Sequence, residues 1–101
     1  MAFAENLAAL PDVQGKRLRL LDGRGREVAV IENAPGTAGS FRVYVALAAK
    51  YGAINAAAAQ EGLLIYAEHT EDARLDPGKH PNIDRLLEVR SAGKIFGVRI
   101  E

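Results

Sequence analysis

The sequence predicts an α+β fold in which a small sheet of about four strands, mixed or antiparallel, packs against helices. Two patterns indicate this fold. Residues 16–32 alternate apolar and charged side chains around a glycine-rich turn, as a β-hairpin does. Other segments repeat apolar side chains every three or four residues, as amphipathic helices do. The predicted order is α-β-β-α-α-β-α-β, and because no linker or internal repeat divides the chain, we expect residues 1–101 to form a single domain.

The predicted hairpin is defined by alternation on both sides of a turn. Leu18 and Leu20 alternate with arginines in the first strand, and the second strand alternates through Val28 and Val30. Between them, residues 22–25 read Asp-Gly-Arg-Gly, which favours a tight turn because glycine adopts a positive φ without strain.

The remaining elements follow from the same patterns. We expect helices over residues 3–10, 41–51 and 56–61, and a fourth helix that begins near Pro81. Residues 63–67 have no polar alternation, and we interpret them as a central strand, buried on both faces, after a helix that ends at Gly62. The last strand, residues 95–100, ends the chain. A terminal strand is easily an edge strand, which favours pairing with a second copy in a homodimer.

Composition excludes several kinds of site and partner. The chain has no cysteine, which excludes disulfides, thiolate catalysis and Cys-type zinc sites. Its 13 basic and 13 acidic residues balance, which argues against a general affinity for nucleic acid, since that affinity comes largely from clustered Lys and Arg. No apolar run approaches the roughly 20 residues that cross a bilayer, and the first residues lack the features of a signal peptide. We therefore expect a cytoplasmic protein with no membrane partner.

The first candidate site is the segment 68–82, predicted as a loop, which contains both histidines. A ligand site at this loop would use Tyr66, Glu68, His69, Glu71, Asp72 and His80. Imidazole and carboxylate groups bind divalent metals, with His69 and His80 as the metal pair, and a carboxylate also orients a histidine as a general base. Their spacing matches no metal motif. The alternative is therefore a solvated loop whose carboxylates pair with Arg74 and Lys79.

The second candidate site is residues 35–42, a glycine-rich segment that leads from a strand into a helix. Free N–H groups at a helix start hold anions, and Arg42 in the first turn would add positive charge. An anion or nucleotide site would use Gly36, Thr37, Gly39, Ser40 and Arg42. The segment matches neither the P-loop nor the dinucleotide fingerprint. The alternative is an ordinary loop in which Ser40 or Thr37 caps the helix.

The predicted hairpin also contains a basic patch. A phosphate or an acidic partner would suit it, but the alternative is that these arginines pair across the strands with Glu27 and Glu32. The hairpin has no aromatic side chain to stack on unpaired bases. The patch consists of Arg17, Arg19, Arg24 and Arg26.

Three runs of the sequence resemble those of a short bacterial family of uncharacterised single-domain proteins. They are residues 66–74, Tyr-Ala-Glu-His-Thr-Glu-Asp-Ala-Arg, residues 77–86, Pro-Gly-Lys-His-Pro-Asn-Ile-Asp-Arg-Leu, and residues 31–36, Ile-Glu-Asn-Ala-Pro-Gly. The resemblance covers nearly the whole chain. It implies a stand-alone bacterial protein, and it implies no activity, cofactor or site residue.

These sites lead to three functional hypotheses. The leading one is a small binding or accessory protein, homodimeric, whose surface for a small molecule or a protein partner is the segment 68–82. The first alternative is a small metal-dependent or acid–base enzyme that uses His69, His80 and the nearby carboxylates. The second alternative is an anion or nucleotide binder at residues 35–42. The sequence specifies no cofactor.

Overall fold

The computed structural model describes residues 2–101, and within them three antiparallel strands and five helices form the fold. The strands are β1 (Arg17–Leu21), β2 (Glu27–Glu32) and β3 (Gly97–Ile100). The helices are α1 (Phe3–Ala8), α2 (Ala38–Tyr51), α3 (Ala56–Tyr66), α4 (Glu68–Leu75) and α5 (Pro81–Ala92). The sheet order is β2-β1-β3, so β1 is central. The α+β class is confirmed, but the sheet has three strands rather than four.

The core lies between the sheet and the helices. Leu18 and Leu20 of β1 are fully buried, as are Tyr44 and Leu47 of α2 and Leu86 of α5. Because α2 contacts both strands of the hairpin and also packs on α3, it links the sheet to the other helices. Within residues 2–101, none of the helices combines the length and the apolar character that a membrane span requires.

The hairpin is confirmed, although the residues of its second strand that face the core are not those that the alternation suggested. Ile31 lies opposite the buried Leu18 and is 2% exposed, and Ala29 lies on the same inner face. Val28 and Val30 are instead 49% and 39% exposed. Both sets of residues alternate along the strand, so only the register with β1 decides which set is buried.

One extra residue interrupts the pairing of β1 with β2. Leu20 pairs with Ala29, and the next residue, Leu21, pairs with Glu27, so Val28 has no partner in β1. This irregularity is a β-bulge, which bends the strand that contains it and increases its twist. The bulge therefore lies in β2, at one edge of the sheet.

The outer face of the sheet contains the ion pairs expected across the hairpin. Arg17 contacts Glu32 at 2.9 Å, and Arg19 contacts Glu27. Both arginines also contact Glu101, at 3.0 Å and 2.7 Å, so the network extends from β2 across β1 to the residue that follows β3. Carboxylates of the protein itself thus pair with the arginines of β1, as the alternative to a basic binding patch requires.

The predicted central strand over residues 63–67 is wrong, because α3 continues to Tyr66. Leu63 is buried and Leu64 is 67% exposed, which is the burial of a helix with one apolar face. Gly62 does not end the helix. A Cβ at this position would lie 2.7 Å from Leu86 and 2.9 Å from Leu47, so the glycine allows α5 and α2 to pack closely on α3.

The segment predicted as an acidic loop is also helical in its first half, where it forms α4. Ala67 separates α3 from α4 with φ 51° and ψ −115°, and it is the one non-glycine residue of the described chain with a positive φ. The buried hydroxyl of Thr70 donates a 2.6 Å hydrogen bond to the carbonyl of Leu63, which satisfies an acceptor at the end of α3. The corner between the two helices is thus fixed by local contacts.

The last strand lies at an edge of the sheet, as predicted, but it is shorter than residues 95–100. Phe96 instead forms an isolated antiparallel bridge with Ile54, with reciprocal backbone hydrogen bonds of 2.9 and 3.1 Å. From Gly97 the chain pairs with β1. The bridge covers the start of the free edge of β3 and leaves the region of Val98 and Ile100 open.

Candidate functional site

The two segments predicted as separate sites meet in one cavity, here called the site pocket, with a volume of about 520 Å³. The start of α2 forms one side, and the end of α3, the first turn of α4 and the start of α5 form the other. Its lining residues are Phe3, Gly36, Thr37, Ala38, Gly39, Ser40, Tyr66, His69, Lys79, His80, Pro81, Asn82 and Ile83. Seven of the predicted site residues are therefore brought together, namely Gly36, Thr37, Gly39, Ser40, Tyr66, His69 and His80.

A hydrogen bond joins the two sides of the site pocket. Tyr66, at the end of α3, is 3% exposed, and its hydroxyl donates to Ser40 Oγ at 2.7 Å. Burial raises the pKa of Tyr66 well above its ordinary value. The phenol is therefore neutral at neutral pH and acts as a hydrogen-bond donor.

The start of α2 presents backbone donors to the site pocket. The helix begins after Thr37, whose hydroxyl donates to the carbonyl of Glu32 at 2.7 Å instead of capping the helix. Within residues 2–101, the backbone N–H groups of Gly39 and Ser40 form no hydrogen bond. The first turn contains no acidic residue. These donors and the positive end of the helix dipole favour an anion at this position.

The two histidines lie side by side in the wall of the site pocket, with ring centroids 5.6 Å apart. His80 Nε2 lies 2.7 Å from Asp72 Oδ2, and the ammonium of Lys79 lies 3.1 Å from the same oxygen. The hydrogen bond from His80, followed by that from Lys79, lowers the pKa of Asp72. The charged carboxylate thus orients the His80 ring from outside the lining.

Phe3 also lines the site pocket, although no pattern in the sequence identified it as a site residue. Its ring stacks on Tyr66, with centroids 5.2 Å apart and planes at 18°, and it meets His69 edge-on at 5.2 Å. The backbone N–H of Phe3 donates to Glu68 Oε1 at 2.7 Å, so Glu68 anchors α1. The side-chain amide of Asn6 donates to the carbonyl of Ile65 at 3.0 Å. No local sequence signal connects residues so far apart.

Four predicted site residues do not line the site pocket, and one of them is Asp72, which contacts His80 from outside the lining. Glu68 contacts α1, and Glu71 contacts Arg74 at 3.2 Å, as the solvated alternative expected. Arg42 points elsewhere, since its Nη2 donates to the carbonyl of Leu10 at 2.8 Å. Lys79 and Asn82 do line it. Their positions beside His80 in the sequence were the signal that could have identified them.

Lys79 contributes a positive charge to the lining, and its ammonium also pairs with Asp72 outside the lining. Among the residues that the structure describes, no aspartate or glutamate lines the site pocket, whereas Lys79 and both histidines do. No group of three or more His, Asp or Glu side chains within residues 2–101 is arranged to hold a metal ion. The metal site at His69 and His80 therefore stays a prediction.

One comparison with known proteins identifies relatives of this chain. A family model described as an uncharacterized protein conserved in bacteria (DUF2322) matches residues 3–100. No curated protein matches the chain, and neither does a solved structure. The match spans every element of the fold and agrees with the resemblance seen in the sequence.

Proposed function

This chain belongs to the DUF2322 family of bacterial proteins, and we propose that it binds a small anionic ligand in the site pocket. The proposal rests on one observation, which is that the start of α2, Lys79 and His80 all line the same cavity. A single site would then combine two of the predicted functions, namely ligand binding at residues 68–82 and anion binding at residues 35–42.

The chemistry of the lining supports an anion that has a carbon skeleton. Positive or neutral donor groups surround the cavity, namely Lys79, the histidines and the free N–H groups of Gly39 and Ser40. Phe3 and Ile83 supply apolar contact surface. A volume of about 520 Å³ lies within the roughly 300–1,000 Å³ range of small-molecule pockets. A small carboxylate or phosphate ester fits this combination better than a bare inorganic ion.

Thermal melting with a compound panel tests the proposal. Each carboxylate or phosphate ester is paired with its uncharged amide or alcohol, and we expect only the charged member to raise Tm. Lys79→Gln should reduce this rise. Lys94→Gln is the matched control, because Lys94 also pairs with a carboxylate, that of Glu88, but lies outside the site pocket. The proposal fails if no anion raises Tm, or if both variants respond as the parent does.

The Asp72–His80 pair favours acid–base catalysis as a second candidate function. A histidine oriented by a carboxylate is the usual form of a general base near neutral pH. Here the pair lies at 2.7 Å beside a cavity that also contains His69. His80→Gln would then abolish turnover of a bound ligand while the ligand still binds. Unchanged ligand after prolonged incubation with the parent protein would count against this candidate.

The homodimer stays a prediction that the free edge of β3 supports. Glu101 and Arg17 exchange backbone hydrogen bonds of 2.9 and 3.4 Å, so alternate residues, Val98 and Ile100, direct their backbone groups away from β1. An exposed row of such groups pairs readily with another strand. Light scattering across a concentration series should give twice the subunit mass. A subunit mass at every concentration would contradict the prediction.

A further inference from the structure

We propose that Asn82 is a hydrogen-bond donor to the ligand of the site pocket, with the orientation of its side-chain amide fixed by Arg85. This inference rests on the proposed function and specifies which ligand atoms the site pocket recognises. Asn82 lies in the first turn of α5 and lines the site pocket, whereas Arg85 lies one turn further along the helix, behind the lining.

Arg85 determines which end of the Asn82 amide remains available. Its Nη1 donates a 2.8 Å hydrogen bond to Asn82 Oδ1. A guanidinium has donors and no acceptor, so the amide atom that it contacts must be the oxygen. The amide nitrogen therefore points to the other side, and within residues 2–101 it forms no hydrogen bond. Asn82 is left with two N–H donors for a ligand.

Tyr44 holds this pair of residues in place. The Tyr44 hydroxyl accepts a 3.2 Å hydrogen bond from Arg85 Nη1 and donates one to the backbone carbonyl of Asn82. The guanidinium carbon lies 5.7 Å from the centre of the Tyr44 ring. Tyr44 is fully buried, and burial raises its pKa to about 12, so the hydroxyl keeps its proton at neutral pH. Both the backbone and the side chain of Asn82 are thus fixed before a ligand arrives.

This fixed donor selects ligands that present an acceptor oxygen. No carboxylate of residues 2–101 forms an ion pair with Arg85, so the guanidinium keeps its positive charge close behind Asn82. A carboxylate or phosphate oxygen beside the Asn82 N–H groups is stabilised by the donors and by this charge. An ammonium group at the same position would be disfavoured, because both it and the Asn82 amide present N–H donors and neither presents an acceptor. The site pocket therefore accepts oxyanions and rejects amines.

Asn82→Asp separates this role from a structural one. The aspartate keeps an oxygen for Arg85, so Tm should be unchanged or higher, but it replaces the two N–H donors with a second anionic oxygen. By isothermal titration calorimetry, we expect binding of benzoate and of inorganic phosphate to weaken at least about tenfold. We expect the parent to reject benzylammonium and the aspartate variant to bind it with measurable affinity.

Gln60→Glu is the matched control. It also changes an amide that accepts from an arginine, Arg90, into a carboxylate, but it lies outside the site pocket. We expect this variant to bind benzoate and phosphate as the parent does. Arg85→Met, in turn, frees the Asn82 amide to rotate, and it should weaken both anions without creating affinity for benzylammonium.

The outcomes separate this inference from the proposed function. If the parent binds neither benzoate nor phosphate, the proposed function fails and the inference fails with it. If the parent binds them and Asn82→Asp binds them equally well, only the inference is overturned. If the aspartate variant melts below the parent, Asn82→Ala replaces it. Undiminished anion binding by the alanine variant would overturn the inference as well.

Discussion

The Tyr66 hydroxyl donates a 2.7 Å hydrogen bond to Ser40 Oγ and so connects two segments that lie 26 residues apart in the chain. Ser40 belongs to the first turn of α2 and Tyr66 to the last turn of α3. Because both residues line the site pocket, this single contact fixes the spacing between its two sides. It is the relationship that unites the two candidate sites.

Tyr66→Phe should lower the free energy of unfolding by about 0.5–1.5 kcal/mol, the usual net contribution of one hydrogen bond. Urea denaturation measures this change. Ser40→Ala should cost a similar amount, and the double variant should cost little more than either single one, because both remove the same contact. Strictly additive effects would contradict the pairing.

Ala67→Gly should raise the free energy of unfolding by about 1 kcal/mol. A non-glycine residue at φ 51° and ψ −115° stores strain of about 1–3 kcal/mol, and relief of that strain exceeds the roughly 0.5–1 kcal/mol entropic cost of glycine. Ala49→Gly, at an exposed position in regular helix of α2, is the control and should destabilise the protein. If Ala67→Gly lowered the free energy of unfolding as Ala49→Gly does, Ala67 would be unstrained.

Gly62→Ala should lower the free energy of unfolding by about 1–2 kcal/mol. The added Cβ would lie 2.7 Å from Leu86 and 2.9 Å from Leu47, both fully buried. Overpacking of about 1–3 kcal/mol then outweighs the roughly 1 kcal/mol by which alanine improves a helix. Gly23→Ala, where a Cβ meets no atom within 4 Å, should leave the urea midpoint nearly unchanged. A more stable Gly62→Ala protein would mean that α5 shifts without cost.

Acid should weaken the fold through Glu101. Hydrogen bonds from Arg19 and then Arg17 lower the pKa of Glu101 from 4.5 to about 2. A carboxylate whose pKa is lower in the folded state stabilises that state above its unfolded pKa, and the contribution disappears as the pH falls toward the folded value. The difference in urea midpoint between the parent and Glu101→Gln should therefore be largest at neutral pH and shrink between about pH 4.5 and 2. A constant difference would contradict the network.

The sequence predicts elements well where local patterns are decisive. The turn at residues 22–25 and the apolar alternation around it identify the hairpin, because both signals lie within a few residues. Asn55 caps α3 through a 2.9 Å hydrogen bond from the Ala58 N–H, and Gly52 ends α2 with φ 78°, and both roles are typical of these residue types. Such features need no distant contact.

The prediction fails where distant packing decides. The run at residues 63–67 suits a buried strand or a buried helix equally well, and the close fit of Gly62 against Leu86 and Leu47 favours the helix. The same limit applies to the site. Phe3 reaches Tyr66 only through the folded chain, and the orientation of the Asn82 amide depends on Arg85 and Tyr44. No short segment of the sequence indicates these contacts, because each depends on residues that the fold brings together.

The bulge at Val28 affects how readily the edge strand β2 could pair with a strand of another molecule. β2 is a six-residue edge strand with two exposed valines, a combination that invites edge-to-edge aggregation. Val28, which has no partner in β1, disturbs the regular spacing of backbone groups along that edge. A strand of another molecule therefore cannot form a continuous ladder of hydrogen bonds with β2. We therefore expect β2 to be a poor template for a second strand, although two apolar side chains are exposed along it.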